Sequence, residues 1–127
     1  MKRKVISTKK APAAVGPYSQ GVKVGNFVFT AGQVAIDPAA GKIVAEDVTG
    51  QTHQVMNNLA QVLRKAGTSL DKVVKTTVFL QSMDDFAAMN EVYGSYFNDK
   101  PPARSTVEVS RLPIGALVEI EAVALIS

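Results

Sequence analysis

Hydrophobic and polar positions divide the chain into extended and helical stretches. Val5-Ile6 is a short apolar pair that reads as a small edge strand. Residues 11–18 carry two prolines and a glycine, a composition for ordered turn rather than helix. Gly21 to Ala31 reads as two strands joined at Gly25-Asn26, and Gly32 ends the second. Asp37 to Lys42 is a further turn, after which Ile43-Val44 predicts another short strand. From about Thr49 to Ala66 the period lengthens. Val55, Met56, Leu59, Val62, Leu63 and Ala66 recur at the spacing of an amphipathic helix. Gly67 follows as a C′ residue in left-handed conformation.

Val73 to Leu80 returns to strand, with Val74, Thr76, Val78 and Leu80 assigned to one face and Val73 and Phe79 to the other. Ser82 offers a hydroxyl N-cap with Asp85 three residues on, a variant of the capping box. A helix from about Asp84 to Phe97 follows, burying Phe86, Met89, Tyr93 and Phe97. Pro101-Pro102 stops that pattern, because proline lacks an N–H and pins φ. Residues 103–109 then read as a strand that points Arg104, Thr106 and Glu108 one way and Val107 and Val109 the other. The last strand, Leu117 to Ile126, alternates cleanly, with Val118, Ile120, Ala122, Ala124 and Ile126 opposite Glu119 and Glu121. One domain over residues 1–127 is expected, of the α+β class, with two helices on one face of a mixed sheet of about six strands. Two helices cover one face only. The other face carries Val73, Phe79, Val123 and Leu125, so self-association is the simplest way to bury it.

Charge alters this picture little. The formal net charge is +3, but five of the fourteen basic residues fall within the first ten positions. Setting those five aside leaves nine basic residues against eleven acidic ones, which argues against an extended nucleic-acid groove. There is no cysteine, so disulfides, thiolate zinc sites and cysteine nucleophiles are excluded. No apolar run reaches the length of a membrane span, and no apolar stretch follows the basic N-terminus as in a secretory signal. A soluble cytoplasmic protein is expected.

With one histidine and no cysteine, neither an ordinary catalytic triad nor a histidine-rich metal cluster is available. No standard phosphate-cradling glycine loop occurs either. Chemistry must come from arginine, carboxylate, tyrosine, hydroxyl or backbone groups. Arg104 opens a half-polar strand and is suited to holding a planar carboxylate through two parallel hydrogen bonds; a surface salt bridge is the competing use. Glu119, beside an arginine in a partly dry site, is suited to proton shuttling, whereas paired strand acids otherwise form a solvated face. Asn90 lies at the edge of the second helix's apolar stripe, where its amide serves either a backbone bond or a ligand. Tyr18 is either a packed aromatic or a cleft residue, and His53 faces solvent on the first helix.

Residues 11–21 (APAAVGPYSQG) resemble the N-terminal signature of the reactive-intermediate deaminase family, RidA or YjgF. Ala31-Gly32-Gln33 is similar to that family's glycine-glutamine turn, and residues 74–80 to its central strand. Asn90 to Tyr93 with Phe97 resembles its second helix. Residues 102–105, 107–109, 111–113 and 119–122 resemble its C-terminal signature. The resemblance spans essentially the whole chain. It implies a chorismate-mutase-like α+β fold and a homotrimer with ligand clefts between subunits. It also implies hydrolysis of 2-imino acids such as 2-iminobutanoate and 2-iminopropanoate to 2-oxo acids and ammonia, without cofactor or metal. By the same resemblance Arg104 binds the substrate carboxylate and Glu119 positions or activates water. Tyr18 and Asn90 line the cleft, and the backbone around Gly32 and Thr106 adds hydrogen bonds. Relatives commonly carry serine where Ala31 stands and cysteine where Thr106 stands, which bears on rate and substrate preference. Other members have been labelled translation inhibitors or endoribonucleases, so an RNA-binding or regulatory protein is the alternative reading.

Overall fold

The structure is a computed structural model that describes residues 2–126. The strands are β1 (Arg3–Ile6), β2 (Gly21–Val24), β3 (Phe27–Thr30), β4 (Ile36–Asp37), β5 (Lys42–Ile43), β6 (Val73–Leu80), β7 (Ala103–Glu108) and β8 (Val118–Leu125). The helices are α1 (Val48–Ala66) and α2 (Phe86–Gly94). Six strands form one mixed sheet in the order β1-β2-β3-β8-β6-β7, and β4 pairs with β5 separately. Among the described residues only the β6–β7 pair is parallel, with α2 in the crossover between them. This is the mixed six-stranded α+β arrangement that the hydrophobic pattern predicts.

Local chemistry explains the boundaries. Gly25, at φ 56°, supplies the left-handed turn that the short β2–β3 hairpin requires. The Asp47 carboxylate caps α1 by accepting from the Gly50 N–H at 2.8 Å, and Gly67 closes the helix at φ 93°. The α1 stripe of Val55, Met56, Leu59, Val62 and Leu63 is buried against Val28, Val78, Ile120 and Ala124 of the sheet. Burying such side chains stabilises by roughly 1.5–3 kcal/mol each and makes this layer the core.

Two expectations need correction. The second helix is shorter than 84–97, because both of its ends tighten into three-residue turns. Met83–Asp85 is a 3₁₀ turn capped by the Ser82 hydroxyl, which accepts from Asp84 N–H; Asp85 makes no reciprocal capping bond. After α2, the N–H groups of Ser95, Tyr96 and Phe97 bond three residues back, turning the chain towards the proline pair. Within β6, a bulge sets Val73 opposite Ala124 and Lys75 opposite Val123. Val73 therefore faces the helices, and Val74 is the exposed residue, the reverse of simple alternation.

The sheet's other face is open. Phe27 and Phe29 are 42% and 45% exposed, and Val107 is 43% exposed. Across the strands Phe29 lies opposite Val123, and Phe27 opposite Leu125, which extends the apolar surface.

Candidate functional site

The first group of site residues lies under α2 at the sheet edge. Arg104 pairs in register with Thr76, whose side chain is buried on the helix side, so Arg104 also rises on that side. Its Nη1 donates to Asn90 Oδ1 at 2.7 Å. Its guanidinium carbon lies 4.8 Å from the centre of the Tyr93 ring and 5.5 Å from that of Phe86. Phe86, Asn90 and Tyr93 recur at i, i+4 and i+7, one face of a helix, and so meet one guanidinium. The Tyr93 hydroxyl shares a 2.6 Å hydrogen bond with Thr76 Oγ1. Burial raises the Tyr93 pKa, partly opposed by the bond from Thr76 and by the Arg104 charge. A cleft of about 430 Å³ opens beside Arg104, lined also by Asn90, Tyr93, Phe97, Pro101 and Pro102. Two residues along β7, Thr106 rises on the same side, and its Oγ1 is buried without a hydrogen-bond partner.

The second group lies on the open face. Glu119 pairs with Phe79, three residues along β6 from Thr76, so its side chain leaves the sheet on the opposite side from Arg104. Gln33 and Ile120 exchange backbone hydrogen bonds of 2.9 and 3.1 Å, which holds the Ala31–Gly32 turn against β8. The Glu119 carboxyl consequently rests on Gly32. A Cβ added at Gly32 would overlap Glu119 Oε2 and lie 2.9 Å from its Cδ, so only glycine leaves this space. Partial burial raises the Glu119 pKa above the usual carboxylate range, and the neighbouring Glu121 charge adds to the shift. Such a carboxyl holds and releases a proton nearer neutrality than an exposed one.

Within one chain, then, Arg104 meets Asn90, and Glu119 meets Gly32, but the two pairs occupy opposite faces. The expectation of an acid beside the arginine fails inside a single chain, because 76 and 79 differ by an odd number of strand residues. Tyr18 belongs to neither pair. It is 49% exposed, its hydroxyl accepts from Val15 N–H at 3.2 Å, and it borders a separate groove with Ile6 and Gln20. His53 is exposed, as expected, and its Nδ1 lies 2.7 Å from the Tyr96 hydroxyl. Asn90 is more exposed than its place beside the apolar stripe suggests.

Sequence reasoning assigned Phe86 and Tyr93 only to the core and overlooked Gln20. Buried Gln20 accepts from Thr8 N–H at 2.7 Å and donates to the Thr8 and Pro12 carbonyls at 3.0 and 2.7 Å. Its own carbonyl accepts from Ala31 N–H at 2.9 Å, tying the N-terminal segment to the Ala31–Gly32 turn. The spacing of 86, 90 and 93 was the available signal for the aromatic pair. Among the described residues, no group of three or more potential metal ligands converges, and no helix is long and apolar enough to cross a membrane.

A family model described as Endoribonuclease L-PSP matches residues 8–126. A RutC family protein of Pyrococcus abyssi is 55% identical over 124 residues, covering 98% of each chain. A mouse protein named 2-iminobutanoate/2-iminopropanoate deaminase is 49% identical over 122 residues, covering 96% of this chain and 90% of its own. The crystal structure of RidA from an Antarctic Psychrobacter superposes with a TM-score of 0.93 at 43% identity, covering 96% of this chain and 98% of that one.

Proposed function

From the premise that this chain belongs to the RidA/YjgF family, the one described as Endoribonuclease L-PSP, we propose that it is a hydrolytic deaminase of reactive 2-imino acids. The reaction adds water across the C=N bond of 2-iminobutanoate or 2-iminopropanoate. The resulting carbinolamine loses ammonia and leaves the 2-oxo acid. One observation carries this reading: Arg104, a permanent cation, is held by the neutral Asn90 amide oxygen and by two aromatic rings. Of the five guanidinium N–H donors, one is engaged by Asn90. The remainder suit a planar carboxylate from outside the chain. That contact orients the substrate and selects 2-imino acids over simple imines. Thr106 Oγ1, buried and unpartnered beside Arg104, offers the ligand a hydroxyl.

Glu119 takes the water-handling role. In its ionised form it accepts a proton from the attacking water, and in its protonated form it returns one to the departing nitrogen. Its pKa, raised by partial burial and by Glu121, makes it a better proton carrier than an exposed carboxyl. Arg104 and Glu119 lie on opposite faces of one sheet, so the reading requires the Glu119 face of one copy to meet the Arg104 edge of another. The exposed Phe27, Phe29 and Val107 give that face an apolar surface to bury. A cyclic homotrimer, with clefts between subunits, is the assembly this reading adopts; the same reading takes the protein to act in the cytoplasm, on imines released by pyridoxal-phosphate-dependent dehydratases of threonine and serine. The test is a coupled assay. L-threonine or L-serine is fed to a pyridoxal-phosphate-dependent dehydratase, and ammonia release is followed with and without this protein. Faster release from the imine is expected. Binding of 2-oxo acids with no acceleration would make the protein a sensor and overturn the enzymatic reading.

A further inference from the structure

We infer that Phe86 and Tyr93 are positioning residues that fix the plane of the Arg104 guanidinium, with Thr76 anchoring Tyr93. The inference rests on Arg104 as the carboxylate clamp and goes beyond it by assigning how the clamp is aimed. An arginine side chain has four torsions, and on an edge strand nothing in the backbone stops it from sweeping through solvent. Here three side chains of α2 restrict it. Asn90 takes one N–H at 2.7 Å and sets the in-plane direction. The rings of Tyr93 and Phe86, 4.8 and 5.5 Å away, restrict rotation out of that plane. Aromatic faces attract the cation without neutralising it, so the charge stays available to an anion. A carboxylate in the same place would hold Arg104 equally well and compete with substrate.

Tyr93 is itself fixed at both ends. Its ring packs 4.8 Å from that of Phe97, and its hydroxyl is tied to buried Thr76 Oγ1 at 2.6 Å. Thr76 is the register partner of Arg104 in β6, so the strand that places the arginine backbone also anchors the ring under its head group. Phe86 is only partly buried, which makes it the position where packing and aiming can be separated.

The test compares Phe86→Leu and Tyr93→Leu with the ring-retaining Phe86→Tyr and Tyr93→Phe. Three readouts are taken on the intact protein: KM and kcat in the coupled imine assay, affinity for 2-oxobutanoate by titration, and NMR shifts of the Arg104 side-chain protons. Loss of either ring should raise KM and weaken 2-oxobutanoate about tenfold, with kcat within about twofold of wild type. Phe86→Tyr should recover most of this loss, and Tyr93→Phe, which keeps the ring but breaks the Thr76 anchor, should recover only part of it. Ring currents should shift the Arg104 protons upfield in the wild type, and that shift should shrink in Phe86→Leu. A merely structural role would lower the yield of folded protein and leave KM unmoved. Unshifted Arg104 protons in the wild type, or unchanged KM and affinity in Phe86→Leu, would overturn the inference. The proton shifts judge the aiming even if the wild type fails to hydrolyse imines, so the two readings fail separately.

Discussion

Arg104 and Glu119 sit on strands that flank the same strand, β6, yet their surroundings differ in kind. Around Arg104 the chain supplies every holding contact: an amide oxygen, two rings and a hydroxyl anchor behind one ring. Around Glu119 it supplies an absence, the missing side chain of Gly32, and leaves the carboxyl half-buried beside an open apolar face. A cation aimed by neutral groups needs only an anion to complete it. A half-buried carboxyl beside an open apolar face leaves one side free for a second surface. The contrast teaches that one chain builds two unlike clusters on opposite faces of its sheet, so the proposed chemistry requires a second copy to bring them together.

The largest blow to the first cluster is removal of the clamp. Arg104→Ala should lower kcat/KM by about a thousandfold, the loss of a bidentate, charge-assisted contact that also orients the substrate. The fold should survive, as judged by thermal melting, because Arg104 is only partly buried and its hydrogen bond is to exposed Asn90. The corresponding blow to the second cluster is Gly32→Ala. The added Cβ pushes the Glu119 carboxyl aside, and misplacing a reacting group by about 1 Å costs on the order of 10–100-fold in kcat. Since the displaced group is the end of a flexible side chain, the melting temperature should change little.

A smaller effect tests the neutrality of the cradle. Asn90→Asp puts a carboxylate within reach of Arg104 and should raise KM about tenfold by competing with substrate, without a comparable fall in kcat. The smallest effect concerns Glu119 and is read as stability. A carboxyl whose folded-state pKa is raised binds its proton more tightly in the folded chain. Its ionisation therefore costs nothing below the ordinary carboxylate range, and stability is lost as pH rises through the raised value. Glu119→Gln should accordingly melt at a higher temperature than wild type at pH 7–8, with the difference vanishing towards about pH 4. Thermal melts across that range check the sign.

Much of the scaffold is legible in the chain because α1 and β8 have strong, unbroken periodicities. The end of α1 is legible in Gly67, whereas its Asp47 cap is not singled out by the pattern, which starts the helix at Thr49, one residue inside it. Val73 and Val74 were misread because a bulge depends on pairing with β8, which no local pattern records. Arg104, Asn90, Gly32 and Glu119 could be singled out from residue type and family resemblance. Their division between two faces could not, since it follows from the register of β7 and β8 against β6. The aromatic cradle was hidden for another reason. Phe86 and Tyr93 have the spacing of core residues, and the same spacing serves to hold a guanidinium.

The central claim, that a working site takes Arg104 from one copy and Glu119 from another, is tested most directly by complementation. Arg104→Ala and Glu119→Ala chains, each expected to be inactive alone, are unfolded together, refolded as a 1:1 mixture and assayed for imine hydrolysis. With random mixing in a cyclic assembly, about a quarter of the shared sites pair an intact arginine with an intact glutamate. Recovery of about that fraction of wild-type activity is the predicted result. A mixture of demonstrably mixed oligomers that stays as inactive as its parents would contradict the shared site.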